Sequence, residues 1–232
     1  MRWRSLFVVL LTLSAATGPA ALAETIAIIG TGNVGMALGT EFAARGNTIV
    51  YGSRNPDSEK TRALVEKTGA GASAALPGEA ASGADIVVLA VPGMVVETVV
   101  RGLGELERKI VIDATNPLVM TEARQFEFGV ATSNGEIVQA ALPGARVIKA
   151  FNTIPWQVMI DPGQSARLPL VPLSGDDAEA KARVAELVSA LGLRPLDFGP
   201  IWYSRWTELT ATIMLNQRLA GRDDYQLILR PN

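Results

Sequence analysis

The stretch Thr25-Ile26-Ala27-Ile28-Ile29-Gly30-Thr31-Gly32-Asn33-Val34-Gly35 is a short β-branched run that ends in glycines spaced G-x-G-x-x-G. Such a run reads as a buried strand, and Val34, Leu38 and Phe42 then recur at i, i+4 and i+8 on one helical face. In this setting the first glycine permits a tight turn. The second lets backbone approach a pyrophosphate, and the third lets the helix pack close on the strand. The helix N-terminus offers free N–H groups and about half a positive charge to an anion. We therefore expect Gly30, Thr31, Gly32, Asn33, Val34 and Gly35 to cradle the phosphates of a dinucleotide. A plain glycine turn is the competing reading, and the position at the head of a strand–helix unit weighs against it.

Working outward, Asn47–Tyr51 reads as a second strand and Ser58–Lys67 as a polar helix. The Ala/Gly-rich piece from Gly69 to Gly83 leaves room for a short third strand. Asp85–Val91, Lys109–Asp113 and Arg146–Ala150 are apolar inside, as buried parallel strands are, with helices expected over Val95–Leu106 and Gly135–Leu142. Strands alternating with helices predict an α/β doubly wound parallel sheet of the Rossmann type. After Phe151 the pattern continues as a strand over Leu168–Leu173 and an amphipathic helix over Asp176–Leu191 that Gly192 caps. A short strand through Leu196 and a last helix over Ser204–Leu219 follow. The expected organisation is a dinucleotide-binding domain over residues 24–151 and a small C-terminal α/β appendage over 152–232.

The end of the second strand decides which nucleotide. A site for NAD places an acid there to hold the ribose 2′-hydroxyl, whereas this chain has Gly52-Ser53-Arg54. A hydroxyl and a guanidinium suit the 2′-phosphate of NADP(H), and Lys60 adds a second cation. The alternative is that Arg54 is a solvated turn residue. Ligands of open parallel sheets bind beyond the carboxyl ends of the strands. Ala90, Val91 and Pro92 are accordingly expected along the cofactor, and Asn116 near the ribose or nicotinamide, where an ordinary Asn-Pro turn is equally compatible. Phe151-Asn152-Thr153-Ile154-Pro155-Trp156 follows a strand and mixes polar groups with a flat ring. It is the candidate wall for a hydride acceptor, with a structural loop as the alternative. Trp202, Trp206, Leu209 and Ile213 recur at helical spacing and are expected in the core. Trp156, expected to be exposed, and the tryptophans of the last helix are alternatively the cover of a homodimer interface.

Composition narrows the chemistry. The formal net charge is −2 and no basic cluster occurs, which disfavours nucleic acid and favours small-molecule partners. The chain has no cysteine and no histidine, so thiolate nucleophiles, imidazole bases and the usual zinc or haem ligands are excluded. No metal ligand set is assigned. Chemistry must come from a cofactor. At the N-terminus Arg2 and Arg4 precede an apolar run over Leu6–Leu13, and Ala21-Leu22-Ala23 offers small residues for cleavage. Met1–Ala23 is the expected signal peptide, too short in its apolar part to span a bilayer, which makes the mature protein periplasmic or secreted. A misplaced start before a cytoplasmic protein is the other reading.

Taken together, Gly30–Gly35, Gly52-Ser53-Arg54-Asn55-Pro56, Lys149–Pro155, Ser174-Gly175-Asp176-Asp177, Gly192–Pro200, Ser204-Arg205 and Glu208-Leu209 resemble the NADPH-dependent reductases of coenzyme F420, a deazaflavin. The resemblance covers nearly the whole chain after Ala23. A similar domain occurs in the six-transmembrane epithelial antigen ferric reductases. The resemblance implies an oxidoreductase that transfers a hydride between NADP(H) and a deazaflavin or flavin stacked on the nicotinamide. Residues Thr31–Gly35, Ser53 and Arg54 would contact NADP, and Asn152, Thr153, Ile154 and Pro155 would neighbour the acceptor. In that family a histidine can stand where this chain has Asn152, so no proton-handling role carries over. A ferric-chelate or quinone reductase and an exported NADP-binding protein without turnover are the alternative functions.

Overall fold

The first strand, β1 (Thr25–Ile29), alternates its side chains between two cores, as an extended chain buried on both faces must. In this computed structural model, which describes residues 23–222 except 70, 166 and 167, β1 leads through the glycine loop into α1 (Asn33–Ala43). The chain continues through β2 (Thr48–Gly52), α2 (Glu59–Thr68), β3 (Ser73–Ala75), α3 (Pro77–Ser82), β4 (Ile86–Leu89) and α4 (Val96–Arg101). Next come β5 (Ile110–Asp113), β6 (Leu118–Met120), β7 (Phe126–Phe128), α5 (Asn134–Ala141), β8 (Arg146–Lys149) and α6 (Trp156–Ile160). The last elements are β9 (Leu170–Ser174), α7 (Ala178–Ala190), β10 (Arg194–Gly199) and α8 (Ser204–Leu219). All but the last residue of the expected signal peptide lies outside the described residues.

Eight strands form one sheet in the order β10-β9-β8-β5-β4-β1-β2-β3. Neighbours from β3 to β8 are parallel, so the doubly wound α/β fold is present, with order reversal between β1 and β4. Ile26, Ile28, Ile86, Val88, Ile110, Ile112 and Ile148 point to one face with Leu38 and Phe42 of α1 and Val184 and Val188 of α7. Ala27, Ile29, Val87, Leu89, Val111 and Val147 point to the other, with Ala80 of α3, Val96 and Val100 of α4 and Val138 of α5. Period-two alternation of apolar residues fills both layers.

The residues after Phe151 extend this sheet. Strand β9 meets β8 antiparallel through Ser174 and Lys149, and β10 runs parallel to β9. The Ala/Gly-rich piece supplies β3 and the short α3, and the helix expected from Val95 shortens to Val96–Arg101, ended at Gly102. The hairpin β6–β7 and the one-turn α6 are additions.

The last helix matches its expected span but turns its other face inward. Trp206 is 54% exposed, with Trp202, Leu209 and Ile213 also exposed, against the expectation of core positions. The buried face is small and polar: Ser204, Thr207, Glu208, Ala211 and Thr212. Close approach to α5 explains it, since a Cβ at Gly135 would stand 2.4 Å from the Ser204 hydroxyl. Trp156, expected exposed, is half-buried against the core on the α1 side.

Candidate active site

Gly30 carries φ +118°, a conformation open to glycine, and a Cβ there would lie 2.4 Å from the Ala90 carbonyl oxygen at the end of β4. A Cβ at Gly35 would lie 2.1 Å from the carbonyl oxygen of Gly30, so the first turn of α1 rests directly on the loop. At Gly32, by contrast, a Cβ would meet nothing within 4 Å. Helix α1 has no side-chain cap and no acid in its first turn. Its leading amides are left to a ligand or to water, with no acid in the helix's own first turn to compete for them.

The Gly30 amide donates to the Gly52 carbonyl at 3.1 Å, which holds the glycine loop beside the end of β2. Beyond it the Ser53 amide donates to Ala75, and the Ser53 Oγ accepts from the Asn55 amide and lies 3.3 Å from the Thr61 Oγ1. Ser58 caps α2 through the Thr61 amide. These short bonds fix the turn that carries Arg54. Arg54 and Lys60 are exposed, and neither side chain makes a hydrogen bond or ion pair among the described residues.

Further along the sheet, the Ala90 amide donates to Ile29, and Val91 and Pro92 follow at the same edge. Asn116 and Asn152 sit just beyond β5 and β8. The Asn116 Nδ2 donates to the Asn152 carbonyl at 2.8 Å, and the Asn152 Nδ2 donates to the Asn116 Oδ1 at 3.0 Å. Phe151 holds φ +64°, a strained conformation for a bulky residue, and its ring meets Phe42 edge-on at 6.3 Å. That turn aims Asn152–Pro155 over the edge of the sheet. A cavity of about 790 Å³ opens there between Val34 of α1, Asn116, the segment 151–157 and α8 through Ala211, Met214 and Leu215.

The structure thus gathers Val34, Asn116, Asn152, Thr153, Ile154 and Pro155 around one cavity. The other expected residues do not line it: Gly30–Asn33, Ser53, Arg54 and Ala90–Pro92 follow the ends of β1, β2 and β4, Gly35 lies in α1 and Lys60 in α2. Among the residues that line the cavity the charged ones are Arg218 and Arg222, and carboxylates are absent.

One group escaped the sequence reading. The Lys149 Nζ lies 2.8 Å from the Asp113 Oδ2, 2.6 Å from the Glu208 Oε1 and 2.5 Å from the Thr115 carbonyl, all three ionisable side chains being fully buried. Glu208 also accepts from the Asn134 and Gly135 amides at the start of α5. Asn134 in turn donates to the Thr115 Oγ1 and the Gly93 carbonyl. Burial pulls the Lys149 pKa down, but Asp113 and Glu208 outweigh it and hold the ammonium above its ordinary value. Burial pushes the Glu208 carboxyl up, with Asp113 adding to the rise and Lys149 opposing it. The cluster carries α8 onto the ends of β5 and β8, and so sets the far wall of the cavity. Its only sequence signal is a charge closing each apolar strand, Asp113 and Lys149.

Comparison with known proteins adds a family. A model of the family "NADP oxidoreductase coenzyme F420-dependent" matches residues 25–117. The chain is 31% identical over 187 residues to the rat Metalloreductase STEAP3, covering 80% of this chain and 36% of that protein, so it spans about a third of that relative. It is 26% identical over 210 residues to an F420-dependent NADP reductase of Methanothermobacter thermautotrophicus, covering 85% of this chain and 90% of the other. A solved structure of a putative F420-dependent NADP reductase from an Arthrobacter species superposes with a TM-score of 0.80 at 29% identity, covering 86% of this chain and 95% of that one.

Proposed function

We propose that the chain, which resembles the coenzyme F420-dependent NADP oxidoreductases across residues 25–117 and beyond, transfers a hydride between NADPH and a planar ring acceptor of deazaflavin or flavin type. The observation that carries the reading is the cavity, apolar along Val34, Phe151, Ile154 and Met214 and continuous with the strand ends that follow the glycine loop.

The residues present fit NADP(H). The first turn of α1 carries no acid, and Gly32 leaves the approach clear. Arg54 brings a guanidinium without a partner among the described residues to the end of β2, where charge-assisted bonds to a 2′-phosphate are worth about 1.5–3 kcal/mol, or tenfold and more in affinity. When bound, the reduced nicotinamide supplies the hydride. The chain's own residues align two rings and exclude water between Val34 and the Ile154–Trp156 wall. A carboxylate or imidazole in the wall is not required for such a transfer, and a chain without histidine suits it.

A second reading, reduction of a ferric chelate from the same nucleotide site, is favoured by the identity with the rat metalloreductase. The two separate in an acceptor panel of F420, FMN, FAD and a ferric chelate, followed by loss of NADPH absorbance with NADH in parallel. The proposal expects oxidation with the ring acceptors and a preference for NADPH that Arg54→Ala erases. Reduction of the chelate alone supports the second reading. Saturable NADP binding with no acceptor oxidising NADPH overturns both.

A further inference from the structure

Asn152 is 7% exposed and lines the cavity, and its Oδ1 has no hydrogen-bond partner among the described residues. The bond chain decides which end of the amide is left over. The carbonyl of Asn152 can only accept, so the Asn116 amide must turn its Nδ2 toward it. The Asn116 Oδ1 then faces the Asn152 side chain and must receive its Nδ2. The Oδ1 of Asn152 is therefore the acceptor that remains. Thr153 Oγ1 and Gln157 Oε1, on the same wall, are likewise buried without partners among the described residues. Half of the described orphaned side-chain atoms thus fall within one six-residue segment over one cavity. Elsewhere in folded proteins such groups are satisfied, and each one left unmade is costly.

Resting on the function proposed above, we propose that Asn152 selects the acceptor by taking a hydrogen bond from a ring N–H through its Oδ1. The chemistry it recognises is an imide, an N–H between two carbonyls, as in the pyrimidinedione ring of flavins and deazaflavins. The Thr153 hydroxyl has a donor for a flanking carbonyl. Quinones and ferric chelates offer no such N–H. Asn152 follows β8, one strand beyond Asn116 in the order β1-β4-β5-β8, which places it on the acceptor's side of the cavity rather than the cofactor's. Asn116 acts as a positioning residue, because its amide prevents Asn152 from rotating.

The test compares lumiflavin with its N3-methyl derivative as acceptors for NADPH in the wild-type protein, and reads ring binding separately by quenching of flavin fluorescence. The inference expects kcat/KM and ring affinity to fall about tenfold or more on methylation, since a buried site made for an N–H rejects the analogue lacking it. Asn152→Ala removes the acceptor oxygen and leaves room for the methyl group. It should bring lumiflavin down to the level of its derivative with the KM for NADPH unchanged. Equal affinity of the wild type for both rings overturns the inference and leaves the proposed function standing. A methylation penalty that persists in Asn152→Ala is steric and overturns it, as does a rise confined to the KM for NADPH. Binding with the expected ratio but no turnover upholds the selection and overturns the oxidoreductase reading instead.

Discussion

Replacing Lys149 by methionine keeps the length of the side chain and removes the cation that faces Asp113 and Glu208. In the wild type the ammonium is fully buried and bonded to both carboxylates and to the Thr115 carbonyl. Removing one partner of a buried ionic group costs about 3–5 kcal/mol, because the remaining charge is left without compensation. A domain of this size holds roughly 5–15 kcal/mol in all. With a shift of about 2–4 °C per kcal/mol, the melting temperature should fall by roughly 6–20 °C. The deficit should also depend on pH. Burial already raises the Glu208 pKa from its ordinary 4.5, and loss of the ammonium removes the influence that opposed the rise. A group whose folded pKa is raised contributes stability that is fully present below its unfolded pKa and is lost as pH rises through the folded one. The gap between Lys149→Met and wild type should therefore narrow as pH falls from 7 toward the ordinary carboxylate range. Thermal unfolding followed by circular dichroism between pH 5 and 8 measures it. A loss below about 1 kcal/mol, or a deficit that stays constant across that range, would refute the assignment of a paired buried cluster.

Other expectations follow from individual contacts. Gly35→Ala drives a methyl group to 2.1 Å from the Gly30 carbonyl oxygen and should abolish NADP binding in a fluorescence titration, with the far-ultraviolet spectrum of the fold kept. Gly39→Ala meets the Tyr51 hydroxyl at 2.2 Å, and overpacking between α1 and β2 should cost about 1–3 kcal/mol in denaturant unfolding. Ser58→Ala removes the cap of α2 and should cost about 1 kcal/mol, a loss that Ser58→Asp restores.

The half of the molecule that was legible from sequence is the half in which local pattern and long-range order coincide. In β1 and β4 every inner residue is buried on one face or the other, so the apolar runs alone announce buried strands. Two glycines of the loop were legible because a side chain would strike the backbone at Gly30 and Gly35, while Gly32 leaves its approach open. The hairpin β6–β7 was not, since two strands of three residues are too short to show a period of two. It is held from a distance, where the Asn216 amide accepts from the Phe126 amide and donates to its carbonyl as a neighbouring strand would. Helical spacing placed Trp206, Leu209 and Ile213 on one face of α8 but carried no sign for which face turns inward. That sign is set by Glu208, whose partners lie on β8 and α5. The buried cluster escaped for the same reason: Asp113, Lys149 and Glu208 each look like boundary charges until the sheet order brings them together. The cavity was legible only by half, through Asn116 and Asn152–Pro155, because its other wall comes from a helix far along the chain.

The central claim is direct transfer of a hydride from NADPH to a ring carbon, and isotope labelling tests it. NADPH dideuterated at the reactive nicotinamide carbon is mixed with the purified protein and a 5-deazaflavin, and the reduced acceptor is weighed by mass spectrometry. The account predicts one deuterium retained on the central ring of the deazaflavin in each turnover. A reduced acceptor without deuterium, or a deazaflavin left oxidised while NADPH binds, contradicts it.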